Sequence, residues 1–243
     1  MKVALIVCGQ YRGSVEGTTQ SIVENLIEPN NADVYVSTWD YGIKSSHRSP
    51  FQGNAEKIRT SADMFKYPNI VDFIQSKEID ISDLIHPSRI QGLDHTPMSI
   101  VCHNELMGKA LESIKAKGIR YDMICKVRPD LTILDKLIIY KNDYINLSLN
   151  TTHMFACSDK LFYCSYDTFY ELARNLREGA EVLKEKLDPH QPWAQQAVGE
   201  RFMRQIVKKM NLKTTIIDGR HQLCRQLGEK ENSFDYEAKA YTS

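Results

Sequence analysis

Apolar residues in this chain gather in short continuous runs bounded by turn-forming residues, as in strands buried on both faces. Val3 to Val7 is the first run, and Gly9 ends it. From Ser14 to Ile27 the spacing turns helical, with Ile22, Val23, Leu26 and Ile27 on one face, and Glu28-Pro29-Asn30-Asn31 closes the segment. Asp33 to Thr38 alternates as a second strand and ends in Trp39-Asp40. Strand, helix and strand in that order predict a parallel βαβ unit with a right-handed crossover. The clearest helix is Ser99 to Lys117. Ser99 stands at its N-cap, Val101, Leu106, Ala110, Leu111 and Ile114 form its apolar stripe, and Gly118 closes it. It feeds a third buried run, Met123 to Val127, which the pattern makes the central strand.

That strand stops at Arg128-Pro129-Asp130, and a second apolar run, Leu131 to Leu134, follows at once. Pro129 has no N–H and biases Arg128 towards extended backbone, so the ladder should break there. A cation and a carboxylate are then held at the carboxyl end of a central strand, where open α/β sheets bind their ligands. Beyond it, Leu134 to Leu149 wanders through Lys and Asn. Met154 to Cys157 and Leu161 to Ser165 read as two apolar strands flanking Ser158-Asp159-Lys160. Asp167 is placed to cap a helix through Phe169, Leu172 and Leu176. A long helix, Ala194 to Met210, carries Glu200, and Leu212 to Ile217 reads as a last strand before Gly219-Arg220-His221. Lys44 to Pro97 is the least periodic stretch, with Ile70 to Ile74 and Ile79 to Ile85 as short helices or strands. An insertion of this kind can cover a ligand pocket, with Arg59 or Arg89 reaching phosphate, although the first assignment for either is a solvated surface position.

A chain of 243 residues fits one large α/β domain or two small ones. Lys plus Arg equals Asp plus Glu at 31 each. This balance argues against a large basic nucleic-acid surface and leaves room for a local positive pocket. No run approaches the ~20 apolar residues of a membrane helix, and the N-terminal run is too short for a signal peptide. Cys8, Cys102, Cys125, Cys157, Cys164 and Cys224 form no Cys-x-x-Cys pair and read as reduced core residues of a cytoplasmic protein. The sequons at Asn146 and Asn150 would go unused there.

Ile124-Cys125-Lys126-Val127-Arg128-Pro129-Asp130-Leu131 resembles an Arg-x-Asp variant of the metal motif of GT-A nucleotide-sugar glycosyltransferases. Ala4 to Arg12, with Gly9-Gln10-Tyr11-Arg12, is similar to the opening of small bacterial and viral members, and Ala32 to Asp40 resembles their second strand. The resemblance implies an α/β, GT-A-like fold, Rossmann-related, with a mainly parallel central sheet and helices on both faces. It implies one domain over 1–243, residues 1–131 forming a nucleotide-sugar-binding half and 132–243 an acceptor-side half. It also implies a nucleotide-diphosphate sugar as donor, a surface glycan or polysaccharide as acceptor, a hexosyl or deoxyhexosyl group transferred, and Mn²⁺ or Mg²⁺ as cofactor. No nucleic acid and no membrane span are expected, although peripheral membrane association fits.

The residue chemistry agrees with that reading. Gly9 permits a sharp turn, placing Gln10, Tyr11 and Arg12 beside a nucleotide, while the absence of GxGxxG argues against a dinucleotide site. Thr38 and Asp40 suit a base or ribose, and Trp39 suits either base stacking or the core. Asp130 suits a hard cation bridging diphosphate oxygens, and Arg128 suits phosphate or the orientation of Asp130. The resemblance places His221 as a further metal ligand. A general base is needed for the acceptor hydroxyl, for which Asp159 and then Glu200 are the candidates. His103, Asn104 and Lys109 read first as exposed helix positions, with bordering the donor as the alternative. Two other readings stand beside this one. One is a nucleotidyltransferase, the other a non-catalytic nucleotide- or glycan-binding domain, for which Arg128 in place of a second acid is the sequence signal.

Overall fold

Every residue of β1 (Val3–Cys8) is buried, as an unbroken apolar run requires of a strand covered on both faces. The computed structural model describes residues 1–11, 15–43, 57–77, 96–149, 157–186, 203, 206–217 and 221–223. The further strands are β2 (Asp33–Trp39), β3 (Tyr41–Ile43), β4 (Lys57–Arg59), β5 (Ile70–Ser76), β6 (Met123–Val127), β7 (Leu131–Ile133), β8 (Ile145–Leu149), β9 (Cys157–Ser165), β10 (Thr214–Ile216) and β11 (His221–Leu223). Seven of them form one sheet in the order β10-β8-β9-β6-β1-β2-β5. β1 runs parallel to β2 and β6, β2 to β5, and β8 to β10. β9 alone opposes its neighbours β6 and β8. The sheet is therefore mainly parallel, with β6 and β1 at its centre.

Helices cover both faces. On one side α1 (Val15–Ile22) continues through a π-helical turn, Val23–Ile27, into α2 (Glu28–Asn30), and Ile22, Leu26 and Ile27 pack on Val3, Leu5, Val7, Met123 and Cys125. On the other side α3 (Thr96–Ala116) and α4 (Tyr166–Lys186) bring Leu106, Ala110, Ile114, Phe169, Leu172 and Leu176 onto Ala4, Ile6 and Ile124. The two clusters divide β1 and β6 by alternate residues, the signature of strands sandwiched between two layers.

Several boundaries differ from the pattern reading for local reasons. Pro29 does not stop the first helix but lies in its last turn, and the reversal is made by Asn31, whose φ of 45° is left-handed. α3 starts at Thr96, so Ser99 lies inside the helix and is not its cap. Asp167 does not cap α4; the Ser165 hydroxyl accepts the Thr168 N–H at 3.4 Å, and Asp167 pairs with Arg120. β9 runs unbroken through Asp159, where two strands and a turn were expected. β8 arises in the stretch read as wandering, because its polar residues Asn146 and Ser148 are buried. Asn146 donates to the carbonyls of Tyr144 and Tyr163, so the folded chain does not offer that sequon for glycosylation. The predicted helix over Ala194 to Met210 is seen at residues 203 and 206–209. The stretch 79–85 lies outside the described residues. Cys8, Cys125 and Cys164 are buried and form no disulfide. No helix among the described residues is long and apolar enough to cross a membrane.

Candidate functional site

The carboxyl ends of β2, β1 and β6 lie side by side, and three turns leave them at one edge. Gly9 ends β1 with φ at 142°, a conformation open to glycine alone, and its N–H donates to the Ser37 carbonyl at 3.2 Å. A Cβ on Gly9 would stand 3.2 Å from Cδ of Pro129, so the first turn packs directly on the turn after β6. The hydroxyl of Thr38, fully buried, donates to the Gly9 carbonyl at 3.0 Å. Thr38 thus holds the turn in place, where the sequence reading had it facing a base or ribose.

Gln10 and Tyr11 follow, both half-buried. The Tyr11 ring meets Phe65 edge-on at 5.5 Å, and burial pushes its phenol pKa up. Its other side rests on Gly42, where a Cβ would lie 2.9 Å from both backbone and side-chain atoms of Tyr11. β3 and β4 form a short antiparallel ribbon above this edge, with Arg59 opposite Tyr41. Asp40 joins the ribbon to the sheet, its N–H donating to Ser76 at 2.7 Å and its carbonyl accepting from Thr60 at 2.9 Å. Trp39 is buried in the α3–α4 layer, so of its two readings the core one holds. Asn104 donates to the Leu176 carbonyl and Lys109 to the Ser76 hydroxyl. These two side chains tie α3 to α4 and to β5, where the sequence pattern reads them first as exposed helix positions and otherwise as bordering the donor.

At the end of β6, Arg128 grips Asp130. Nε donates to Oδ1 at 2.8 Å and Nη2 to Oδ2 at 2.6 Å, with Asp130 1% and Arg128 24% exposed. The Arg128 N–H still donates to Lys160 of β9 at 3.0 Å, and the Leu131 N–H turns back to the Arg128 carbonyl at 3.2 Å. Pro129, without an N–H, ends the ladder between them as its sequence position requires. β7 then runs along α1, where the Ser21 hydroxyl accepts the Ile133 N–H and Asn25 donates to the Ile133 carbonyl.

The structure thus brings Gly9, Gln10, Tyr11, Thr38, Asp40, Arg128 and Asp130 to one edge of the sheet. Arg12, Arg89 and Glu200 lie outside the described residues, as do the side chains of His103, Asp159 and His221. The backbone of His221 pairs with Ile133 and that of Leu223 with Leu131. His221 therefore stands roughly 10 Å along the ribbon from Asp130. Among the described residues, no group of three His, Cys, Asp or Glu is placed to hold a metal ion. With both Asp130 oxygens on Arg128, these residues do not supply the carboxylate set a hard divalent cation prefers.

Lys126 is the residue the sequence reading missed. It is 0% exposed inside the central strand, and its Nζ lies 5.8 Å from the centre of the Phe162 ring. The signal was a lysine within the run Met-Ile-Cys-Lys-Val, where an ammonium is out of place unless held. No protein-family model and no curated protein matches the chain.

Proposed function

We propose that this chain is a glycosyltransferase that moves a sugar from a nucleotide-diphosphate donor to a glycan or polysaccharide acceptor, in a GT-A-like fold. The observation that carries the reading is the buried Arg128–Asp130 pair at the carboxyl end of the central strand, packed through Pro129 against the glycine turn of β1. A mainly parallel α/β sheet binds ligands at this edge. Tyr11, Asp40 and the β3–β4 ribbon surround the place for the nucleotide, and Arg128 supplies a planar cation for phosphate. In the transfer, the acceptor oxygen bonds to the anomeric carbon while the sugar–oxygen bond to the diphosphate breaks and leaves its electron pair there. The acceptor proton passes to a base, for which Asp159 and Glu200 remain the candidates. Because the described residues do not form a cation's donor set, no step is assigned here to a metal.

Thermal unfolding with a panel of nucleoside diphosphates and nucleotide sugars, with and without Mn²⁺, tests the reading. A ligand that binds only the native state raises its melting temperature. A shift selective for one base, together with slow hydrolysis of the matching sugar donor, is the expected result. The absence of a shift with every nucleotide overturns it. A specific observation also favours a non-catalytic binding domain, since both Asp130 oxygens already accept from Arg128. That reading predicts nucleotide binding with no turnover of any donor.

A further inference from the structure

The ribbon of β3 and β4 is clasped to the carboxyl edge of the sheet at its base. The Thr60 hydroxyl donates to the Trp39 carbonyl, and Nε2 of Gln75 donates to the Thr60 carbonyl at 2.7 Å. Together with the backbone bonds from Asp40 to Ser76 and from Thr60 to Asp40, these fix the ribbon to the ends of β2 and β5, where Thr60 is buried. Gly42 then seats the ribbon on the turn after β1. A Cβ at this position would lie 2.9 Å from the Tyr11 carbonyl oxygen, so a larger residue would lift the ribbon off that turn. Tyr11 itself packs on the α1 layer.

Cross-strand partners share one face of a ribbon, and successive residues alternate between faces. Gly42 pairs with Ile58, so those two face Tyr11, whereas Tyr41 and Arg59 pair on the other face, turned away from the α1 layer. Both are exposed there, Tyr41 by 41%. Among the described residues, Arg120, Arg128, Arg174 and Arg177 each hold a carboxylate, and Arg59 holds none. Directly opposed partners stand about 5 Å apart at Cβ. An aromatic ring and an uncommitted guanidinium are thus carried side by side, on a ribbon fixed at its base, next to the turn that bears Gln10 and Tyr11. Tyrosine and arginine are the side chains on which binding surfaces concentrate their energy.

We propose that Tyr41 and Arg59 form the donor-recognition face of the ribbon, the Tyr41 ring stacking on the nucleobase and the Arg59 guanidinium pairing with the phosphate beyond the ribose. This rests on the glycosyltransferase reading and assigns to the ribbon the ligand whose place the sheet edge marks. A base offers the ring a flat π face, and the planar fork of the guanidinium matches phosphate oxygens. The two contacts fall on adjoining parts of one ligand, so together they select a nucleotide over a bare sugar or inorganic phosphate. Tyr41 and Arg59 touch the substrate in this scheme; Gly42, Thr60 and Gln75 act through the ribbon that they position.

Calorimetric titration of the full chain, in Mn²⁺ and separately in EDTA, tests this, with UDP, GDP, CDP, dTDP and ADP as probes and the matching nucleoside as competitor. Wild type is expected to bind one of these diphosphates, and its nucleoside to compete more weakly. Tyr41→Ala is expected to weaken diphosphate and nucleoside alike, about tenfold, while Tyr41→Phe keeps the ring and the affinity. Arg59→Gln is expected to weaken the diphosphate about tenfold, to leave the nucleoside unchanged and to flatten the salt dependence. Arg174→Gln, which removes an exposed guanidinium paired with Glu171 on α4, should leave both unchanged. Because Tyr41 and Arg59 are exposed, circular dichroism is expected to show each variant folded. Diphosphate binding that either Tyr41→Ala or Arg59→Gln leaves intact, or a loss that Tyr41→Phe shares, overturns the ribbon site while the transferase reading stands. Failure to bind any diphosphate, with metal or without, overturns both.

Discussion

Arg128 holds Asp130 by two parallel hydrogen bonds in a setting where Asp130 is 1% exposed. A charge pair of this kind adds little net stability over an apolar alternative, but removing one member strands the other. Asp130→Asn is therefore expected to lower the unfolding free energy by about 2–4 kcal/mol, because the guanidinium loses its counter-charge. Arg128→Lys keeps the charge and loses the planar fork, so its loss should be smaller, about 1 kcal/mol. Urea midpoints at constant m-value compare the two, and equal losses would show that charge is not what the pair contributes. Gly9 makes a separate demand on backbone geometry. At φ of 142°, with Pro129 3.2 Å from the missing Cβ, Gly9→Ala must strain the turn or push Pro129 away. The expected loss is about 1–3 kcal/mol, and it should come with weaker nucleotide binding. A Gly9→Ala protein with wild-type stability would mean that the turn relaxes freely.

The helical layer over β1 also fixes the path of the chain beyond β7. Asn30, at the end of α2, donates to the Leu26 and Leu137 carbonyls at 2.7 Å and accepts the Ile139 N–H at 2.7 Å. One side chain thereby holds the chain as it leaves β7. Asn30→Ala leaves those groups without partners, at about 1–3 kcal/mol. Hydrogen exchange at the Ile139 amide should quicken while β6 stays protected, and uniform quickening would mean that Asn30 supports the whole fold. These elements differ in how far they can be read in the sequence, and burial explains the difference. β1, β2 and β6 are covered on both faces and announce themselves as apolar runs. β8, with buried Asn146 and Ser148, carries no such pattern, whereas β10 falls within the strand read from Leu212 to Ile217 although its three residues are all exposed. Arg128 and Asp130 were legible because Pro129 marks the strand end between them. Tyr41 was not, since its place beside Arg59 depends on a register between β3 and β4 that no local residue encodes. Thr38 was misread because a hydroxyl at a strand end looks the same whether it meets a ligand or the neighbouring carbonyl.

At the scale of the molecule, both layers of the core contain acids that burial keeps protonated. Cys125 lies in the α1 layer and Cys164 in the α3–α4 layer, and desolvation raises both thiols above their ordinary 9.0, the Lys126 charge drawing Cys125 partly back. Tyr35, Tyr121, Tyr163 and Tyr170 are likewise raised by burial above 10.0. Their folded-state values exceed their unfolded ones, so the native state keeps protons that the unfolded chain releases. Stability from these groups is complete below about pH 9 and is lost as pH rises, first through the thiols and then through the phenols. Each group that the unfolded chain has released and the native state still holds steepens the decline by about 1.4 kcal/mol per pH unit. Because the two thiols sit on opposite faces of β6 and β9, neither layer escapes, and unfolding should remain one cooperative transition. Urea midpoints from about pH 7 to about pH 11 should stay level to about pH 9 and then fall steeply. In a Cys125→Ala, Cys164→Ala protein the midpoint starts lower, for want of the two sulfurs, but its decline should begin nearer pH 10. An unchanged onset in that protein would assign the alkaline loss to the tyrosines alone.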